Sequence, residues 1–338
     1  MINRIYRLMD TKRIEVVQRE IEMSNNVILA CPRYVSVCSA DQRYYQGDRS
    51  RAIMQKKLPM ALIHEAVADV IYSADSSFPK GSMVVPIPLL PNPSATVKSN
   101  YDEKSTFRSS GQDGFLCDYI SASKNGFVLA PSNQSVVYVF SEMISVVINV
   151  LEAFEQSRVT GCDSFGVWGD GSIGYTVSLI LRIVNPNAKI YAFGKTARKL
   201  RRFSFVDETF FIDDIPQGLR INHAFECAGG VGSELAIRQI IQVINPQGCV
   251  NLLGVSEEEI SINTRTVLDK GLKLLGNSRS DAGDFQKAVK FISENAIVQR
   301  HLETLVSEVV DIKNENDIAK LFENDALNDF KTVGRWLL

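Results

Sequence analysis

The spacing of apolar and polar positions divides the chain into two textures. Through about residue 140 the apolar runs are short and broken by turn residues, which predicts strands and loops. Residues 27–30 and 34–37 read as two strands interrupted at Cys31-Pro32. Leu62-Ile63 and 66–72 add strand character around His64-Glu65, and 83–86 leaves the turn Phe78-Pro79-Lys80-Gly81 as another strand. The polar, proline-bearing stretch 88–104 reads as a surface loop, and Gly111-Gln112-Asp113-Gly114 as a tight turn. From 139 to 154 the period becomes helical. After it the alternation is regular: strand 165–168, helix 173–184, the breaker Asn185-Pro186-Asn187, strand 189–193 and a helix around 198–203. Strand 223–226, helix 234–244 stopped by Asn245-Pro246-Gln247-Gly248, and strands 249–254 and 273–276 complete the series. Asp284 is placed to cap a last amphipathic helix with Phe285, Ala288, Val289 and Ile292 on one face. The expected class is α/β: a β-rich domain at 1–140, completed by 281–338, with a doubly wound parallel-sheet domain inserted at 141–280.

Composition narrows the function classes. A chain of 338 residues can bury two cores. With 22% charged residues and a net charge of −2 it offers no electrostatic footprint for nucleic acid or an anionic membrane. Met1-Ile2-Asn3-Arg4-Ile5-Tyr6-Arg7 has no apolar signal region, and the apolar stretches 143–151 and 177–181 fall short of a membrane span. The cysteines (Cys31, Cys38, Cys117, Cys162, Cys227, Cys249) contain no C-x-x-C pair and read as reduced thiols. These features predict a cytoplasmic protein.

Candidate chemistry begins at Gly169-Asp170-Gly171-Ser172-Ile173-Gly174, which follows an apolar strand and opens an apolar helix. In that context G-x-G-x-x-G marks a dinucleotide site: the glycines permit a tight turn, close approach of a pyrophosphate, and close helix–strand packing. The alternative is an ordinary glycine turn. An NAD-binding fold places Asp or Glu at the end of the second strand to hold the ribose hydroxyls. Here that place reads Gly194-Lys195-Thr196-Ala197-Arg198-Lys199, without a carboxylate and with three cations, which favours the additional phosphate of NADPH. Alternatively the cations are a solvated helix start.

A catalytic zinc needs three N, S or O ligands and an open position. Cys38, His64 and Glu142 supply such a set, with Glu65 as an alternative or exchanging ligand. Spacing alone leaves the plain readings open. A buried Cys is often a small hydrophobe, a lone His a core residue, and a helix-start Glu a partner of the helix dipole. His223 and His301 are read as structural.

Cys38-Ser39-Ala40-Asp41, His64-Glu65, Gly111…Asp113-Gly114-Phe115…Tyr119, Glu142 and the glycine motif follow one another in an order that resembles the zinc-dependent medium-chain dehydrogenases/reductases over essentially the full length. Asp41-Gln42-Arg43-Tyr44-Tyr45, Phe107-Arg108-Ser109-Ser110-Gly111, Trp168-Gly169-Asp170-Gly171, Ala224-Phe225-Glu226-Cys227, Leu253-Gly254-Val255-Ser256-Glu257, Asn263-Thr264-Arg265 and Ser278-Arg279-Ser280 resemble, more narrowly, the ribulose-5-phosphate reductases of teichoic acid and capsule synthesis.

The resemblance implies a GroES-like catalytic domain beside a Rossmann domain. It also implies zinc on Cys38, His64 and Glu142 with coordination adjusted by Glu65, and NADPH reduction of C2 of D-ribulose 5-phosphate to D-ribitol 5-phosphate. It further implies a homodimer and a cytidylyltransferase as next enzyme and partner. Many relatives carry a second, structural zinc on four closely spaced cysteines; only Cys117 lies near that place, so none is expected. Many also carry Ser or Thr where this chain has Ala40, so Tyr44, Ser39 or water at the metal must relay the proton, and Tyr44 is preferred. Asp41 is read either as an acceptor that orients His64 or as a plain surface residue. Arg43, Arg108 and Arg279 are candidates for the substrate phosphate. Three competing readings remain: a zinc-free quinone or enoyl reductase, a general polyol dehydrogenase, and a non-catalytic nucleotide-binding subunit.

Overall fold

In a computed structural model, which describes every residue except 25, 132–134 and 162, the chain divides into two units. The first comprises Met1–Ser145 and Arg279–Leu338, the second Val146–Ser278. One boundary therefore lies a turn inside the helix Ser141–Ser157.

The first unit is built on a sheet ordered Phe127–Leu129, Met83–Pro86, Glu65–Ser73, Ile28–Ser36, Lys331–Trp336, Val306–Ile312, with Ile120–Ala122 also pairing with Ile28–Ser36. The two strands expected around Cys31-Pro32 are one. Register shifts at Leu29/Ala30 and Pro32/Tyr34 absorb the proline as bulges, so the absent N–H breaks no ladder. An N-terminal hairpin, Ile2–Asp10 with Arg13–Glu20, carries Met60–Ala61 alongside. Two helices, Ser39–Gln46 and Arg51–Lys57, stand where the sequence showed no helical period; both are too short to display one.

Two expectations at the C-terminal end need correction. The cap of the helix Ala282–Glu294 is Asp281, and Asp284 is its reciprocal partner: the Asp284 N–H donates to Asp281 Oδ1 at 3.1 Å and the Asp281 N–H to Asp284 Oδ2 at 3.0 Å. Nor is this helix the last, since Ala296–Glu303 and Glu315–Leu327 follow. The chain then returns as Lys331–Trp336, antiparallel to Ile28–Ser36, and buries Trp336 against Tyr6.

The second unit is a parallel sheet ordered Glu208–Phe211, Lys189–Gly194, Ser164–Trp168, His223–Glu226, Cys249–Leu252, Lys273–Gly276. Numbered along the chain this is 3-2-1-4-5-6, the doubly wound order, whose reversal point lies beside Ser164–Trp168. Strand Glu208–Phe211 was not anticipated: three of its four residues are exposed, and the apolar run Phe210-Phe211-Ile212 is too short to mark it. The expected helix near 198–203 shrinks to Ala197–Leu200.

The apolar rod Val136–Ser157 is 22 residues long, and by length and composition it could cross a membrane, contrary to the shorter stretches read from sequence. Its most apolar stretch is 67% buried, as in a core helix. The five described cysteines are free thiols, and Cys162 lies outside the described residues.

His223 is buried against the Phe154 and Phe165 rings, and its Nδ1 accepts from the Cys249 N–H at 3.2 Å. Burial lowers its pKa to about 4. A base whose folded value lies below its unfolded one stabilises the fold fully above the unfolded value near 6.5. That contribution is lost as pH falls from about 6.5 towards 4, by at most about 1.4 kcal/mol per pH unit. We expect urea denaturation of the wild type to weaken more steeply over this window than that of His223→Asn, which keeps an acceptor but cannot be protonated there. Parallel pH profiles would contradict the assignment.

Candidate active site

Asp41 is the point to which the first unit's polar groups converge. It lies at the third position of the helix Ser39–Gln46, fully buried, in a capping box with Cys38. The Cys38 sulfur accepts from the Asp41 N–H, and Asp41 Oδ2 accepts from the Cys38 N–H at 3.3 Å. Its Oδ1 accepts from the Ile63 N–H at 3.0 Å and from the Ser109 hydroxyl, and Oδ2 lies 3.2 Å from His64 Nδ1. Burial would raise the carboxyl, but His64, Ser109 and Ile63 outweigh it and hold Asp41 below the usual carboxylate range.

His64 follows Ile63, whose φ is +71°, a left-handed conformation costly for a β-branched residue. Strain of this kind persists where surrounding bonds over-determine it. The imidazole that results is buried, and its site group, Cys38 Sγ, a His64 nitrogen and a Glu65 oxygen, lies within 4.8 Å of one another. Burial opposes an imidazolium here, yet Asp41 and Cys38 raise the His64 pKa well above its ordinary value. Such surroundings call for positive charge. A divalent metal supplies it while leaving the ring neutral, and the S, N, O donor set suits zinc.

Glu142, on the first turn of Ser141–Ser157, is buried outside that group of three but interacts electrostatically with His64, Glu65, Lys331 and Asp41. Burial pushes its carboxyl up to about 7. Both Glu65 oxygens accept from Lys331 Nζ, at 2.6 and 2.8 Å, and the same ammonium donates to Val37 O at 3.0 Å. Glu65 is thus held by a buried cation that sequence reading missed. Its one signal is a lysine opening the apolar strand Lys331–Trp336. Ser109 was missed as well, since nothing in its neighbourhood marks a hydroxyl directed at Asp41.

The other expected residues divide. Tyr44 is buried beneath the Arg49 guanidinium, 4.7 Å from its ring centroid. Arg108 turns inward, donating to Asp113 O at 3.4 Å and Ser121 O at 3.1 Å over the Phe115 ring, so its guanidinium is taken up by the protein. Arg43 is half-buried in the last turn of its helix. Arg279 lies 5.0 Å from the Phe107 ring centroid.

In the second unit, Gly169, Asp170, Gly171, Ser172, Ile173 and Gly174 form the turn and helix start. A side chain at Gly174 would stand 1.9 Å from Gly169 O, so close packing demands glycine, whereas Gly171 faces open space at the helix N-terminus. The expectation that no carboxylate stands at the end of the second strand holds along the sequence but not in space. Asp170 reaches across from the glycine turn, and its Oδ2 accepts from the N–H groups of Lys195 and Thr196 at 2.8 and 2.7 Å. Gly194 makes room for it, since a Cβ there would lie 2.6 Å from Asp170 Cβ. Asp170 therefore clasps the glycine turn to the segment after the strand Lys189–Gly194, where Lys195 and Thr196 lead into the helix Ala197–Leu200 that carries Lys199.

Comparison with known proteins agrees with this architecture. Residues 24–132 match the alcohol dehydrogenase GroES-like domain, and residues 182–294 the zinc-binding dehydrogenase domain. The chain is 40% identical over 341 residues to ribulose-5-phosphate reductase 1 of Staphylococcus aureus, covering 100% of both chains. It is 42% identical over 339 residues to ribulose-5-phosphate reductase of Bacillus spizizenii, covering 99% of each. The crystal structure of S. aureus TarJ in complex with NADPH superposes with a TM-score of 0.89 at 38% identity, covering 100% of both chains. The chain belongs to the ribulose-5-phosphate reductase family of zinc-binding dehydrogenases.

Proposed function

We propose that this protein reduces C2 of D-ribulose 5-phosphate with NADPH, giving D-ribitol 5-phosphate for teichoic acid or capsule synthesis. Full-length identity to named ribulose-5-phosphate reductases carries the reading, and the cluster around His64 supplies chemistry that suits it.

Cys38, His64 and Glu142 would hold one zinc ion, which when bound polarises the ketone oxygen as a Lewis acid. NADPH supplies the hydride. Asp41 keeps a proton on His64 Nδ1, so that Nε2 is the nitrogen offered to the metal. Lys331 holds Glu65 by both oxygens, so Glu65 approaches the metal only by surrendering one of those bonds. With Glu65 held by Lys331, a zinc ion on Cys38, His64 and Glu142 would keep room for substrate. Ala40 has no hydroxyl to pass on a proton, and we assign that task to Tyr44. Gly169 to Gly174 seat the pyrophosphate at a helix N-terminus. Asp170 spends its charge on two backbone N–H groups, and Gly194, Lys195, Thr196 and Lys199 form the segment that receives the additional phosphate of NADPH. We further propose a cytoplasmic location, which rests on the sequence features above, and a homodimer and a cytidylyltransferase that takes the product, which rest on the family resemblance.

Purified protein is expected to oxidise NADPH with D-ribulose 5-phosphate, to lose that activity on chelation and to regain it with zinc. Turnover indifferent to chelation would exclude the metal role. Absence of turnover with zinc and NADPH bound would move the substrate to another sugar phosphate or a polyol. Asp41→Asn is expected to weaken zinc binding about 10–100-fold in competition with a chromophoric chelator, with NADPH affinity unchanged. Wild-type zinc affinity in that variant would refute the orienting role.

A further inference from the structure

The loop Phe107-Arg108-Ser109-Ser110-Gly111 faces two different chemistries at once. Ser109 donates to Asp41, the carboxylate beside His64. Its neighbour Ser110 receives the Lys57 ammonium, whose Nζ donates to Ser110 O at 2.9 Å and lies 3.4 Å from Ser110 Oγ. Phe107 stands between the same two regions: its ring centroid is 5.5 Å from that of His64 and 5.0 Å from the Arg279 guanidinium carbon. Gly111, at φ +90°, leaves space for this arrangement, since a Cβ there would meet Lys57 Cδ at 3.0 Å and Nζ at 3.4 Å.

Lys57 is half-buried, at the end of the helix Arg51–Lys57, and the described residues give it no carboxylate partner. Burial lowers its pKa first, and the other groups that lower it further are all cations: Lys56, Arg279 and Arg49. Asp113, the acid that follows in the loop, is turned away, pairing with Arg7 at 2.5 and 2.9 Å and accepting from the Ala61 N–H at 2.9 Å. A half-buried ammonium facing cations is destabilised unless an anion joins it. The backbone carries a second sign. Among the described residues, three of the five non-glycine positions with positive φ are Ile63, Ser109 and Arg279, the three that set His64, the loop and the guanidinium.

We propose that Lys57, with Arg279 and Arg49 beside it, is the anion subsite that receives the phosphate of the sugar phosphate, the Phe107 loop setting its distance from His64. The proposal rests on the function assigned above. Arg279 was among the cations read from the sequence; Lys57 was not.

The test uses zinc-loaded protein with saturating NADPH, so that the nucleotide's own phosphate sites are filled. Lys57→Gln, which can still donate to Ser110 O, is expected to raise KM for D-ribulose 5-phosphate at least about tenfold, the scale of one charge-assisted hydrogen bond. KM for NADPH and zinc content should not change, and Lys57→Arg should recover most of the loss. Inorganic phosphate should compete with the sugar phosphate in the wild type and lose potency in Lys57→Gln. A variant with wild-type KM and wild-type phosphate inhibition overturns the subsite, as does an equal loss for NADPH. Should the wild type fail to turn over D-ribulose 5-phosphate, the assigned function fails. Phosphate binding to wild type and Lys57→Gln, followed by phosphorus NMR, then decides the subsite separately: equal binding overturns it, and binding lost only in the variant upholds it.

Discussion

A carboxylate with no exposed surface must be satisfied by the protein itself, and the architecture of the first unit follows from how Asp41 meets that demand. Its partners come from three separate stretches: Cys38 in its own capping box, Ile63 and His64 after Met60–Ala61, and Ser109 in a loop some seventy residues onward. Each bond to Asp41 also fixes something else. The Cys38 bond orients a sulfur, the Ile63 bond stabilises a left-handed backbone that turns His64 inward, and the Ser109 bond anchors the loop carrying Phe107 and Ser110. A half-satisfied network of this kind would be worse than an apolar core. Completed, it holds sulfur and imidazole in place before any ion arrives, and that preorganisation a metal site needs.

The second buried charge is organised on the same principle. Glu65 is neutralised by Lys331, a residue contributed by the final strand, so the C-terminal return of the chain is part of the site as well as of the sheet. Removing one partner of such a pair leaves the other as an uncompensated buried ion, which costs about 3–5 kcal/mol in comparable cases. In the second unit, Asp170 performs a smaller version of this task, using one carboxylate oxygen to tie two loops through backbone N–H groups.

The two units were unequally legible. Strand–helix alternation exposed the parallel sheet because four of its five pairings join successive strands and its central strands are largely buried. In the first unit the decisive pairing joins Lys331–Trp336 to Ile28–Ser36, and no local pattern signals an interaction across that separation. Bulges at Pro32 further disguised one strand as two. Cys38, His64 and Glu65 could be named from residue type and order, and they do lie together. What a linear reading cannot supply is which side chain faces which. Lys331 against Glu65, Ser109 on Asp41, and Asp170 at the end of the strand Lys189–Gly194 all depend on that. The same applies to Arg108, whose motif context suggested an anion and whose guanidinium instead binds carbonyls.

One sulfur, one imidazole and carboxylate oxygen are proposed to form a single zinc centre around the Asp41 network. X-ray absorption at the zinc edge of the loaded protein tests it without reference to catalysis. One sulfur is expected at about 2.3 Å, with the remaining ligands nitrogen or oxygen at about 2.0–2.2 Å, and the sulfur shell should be lost in Cys38→Ser. A shell of two or more sulfurs, or a sulfur signal that survives Cys38→Ser, would contradict it.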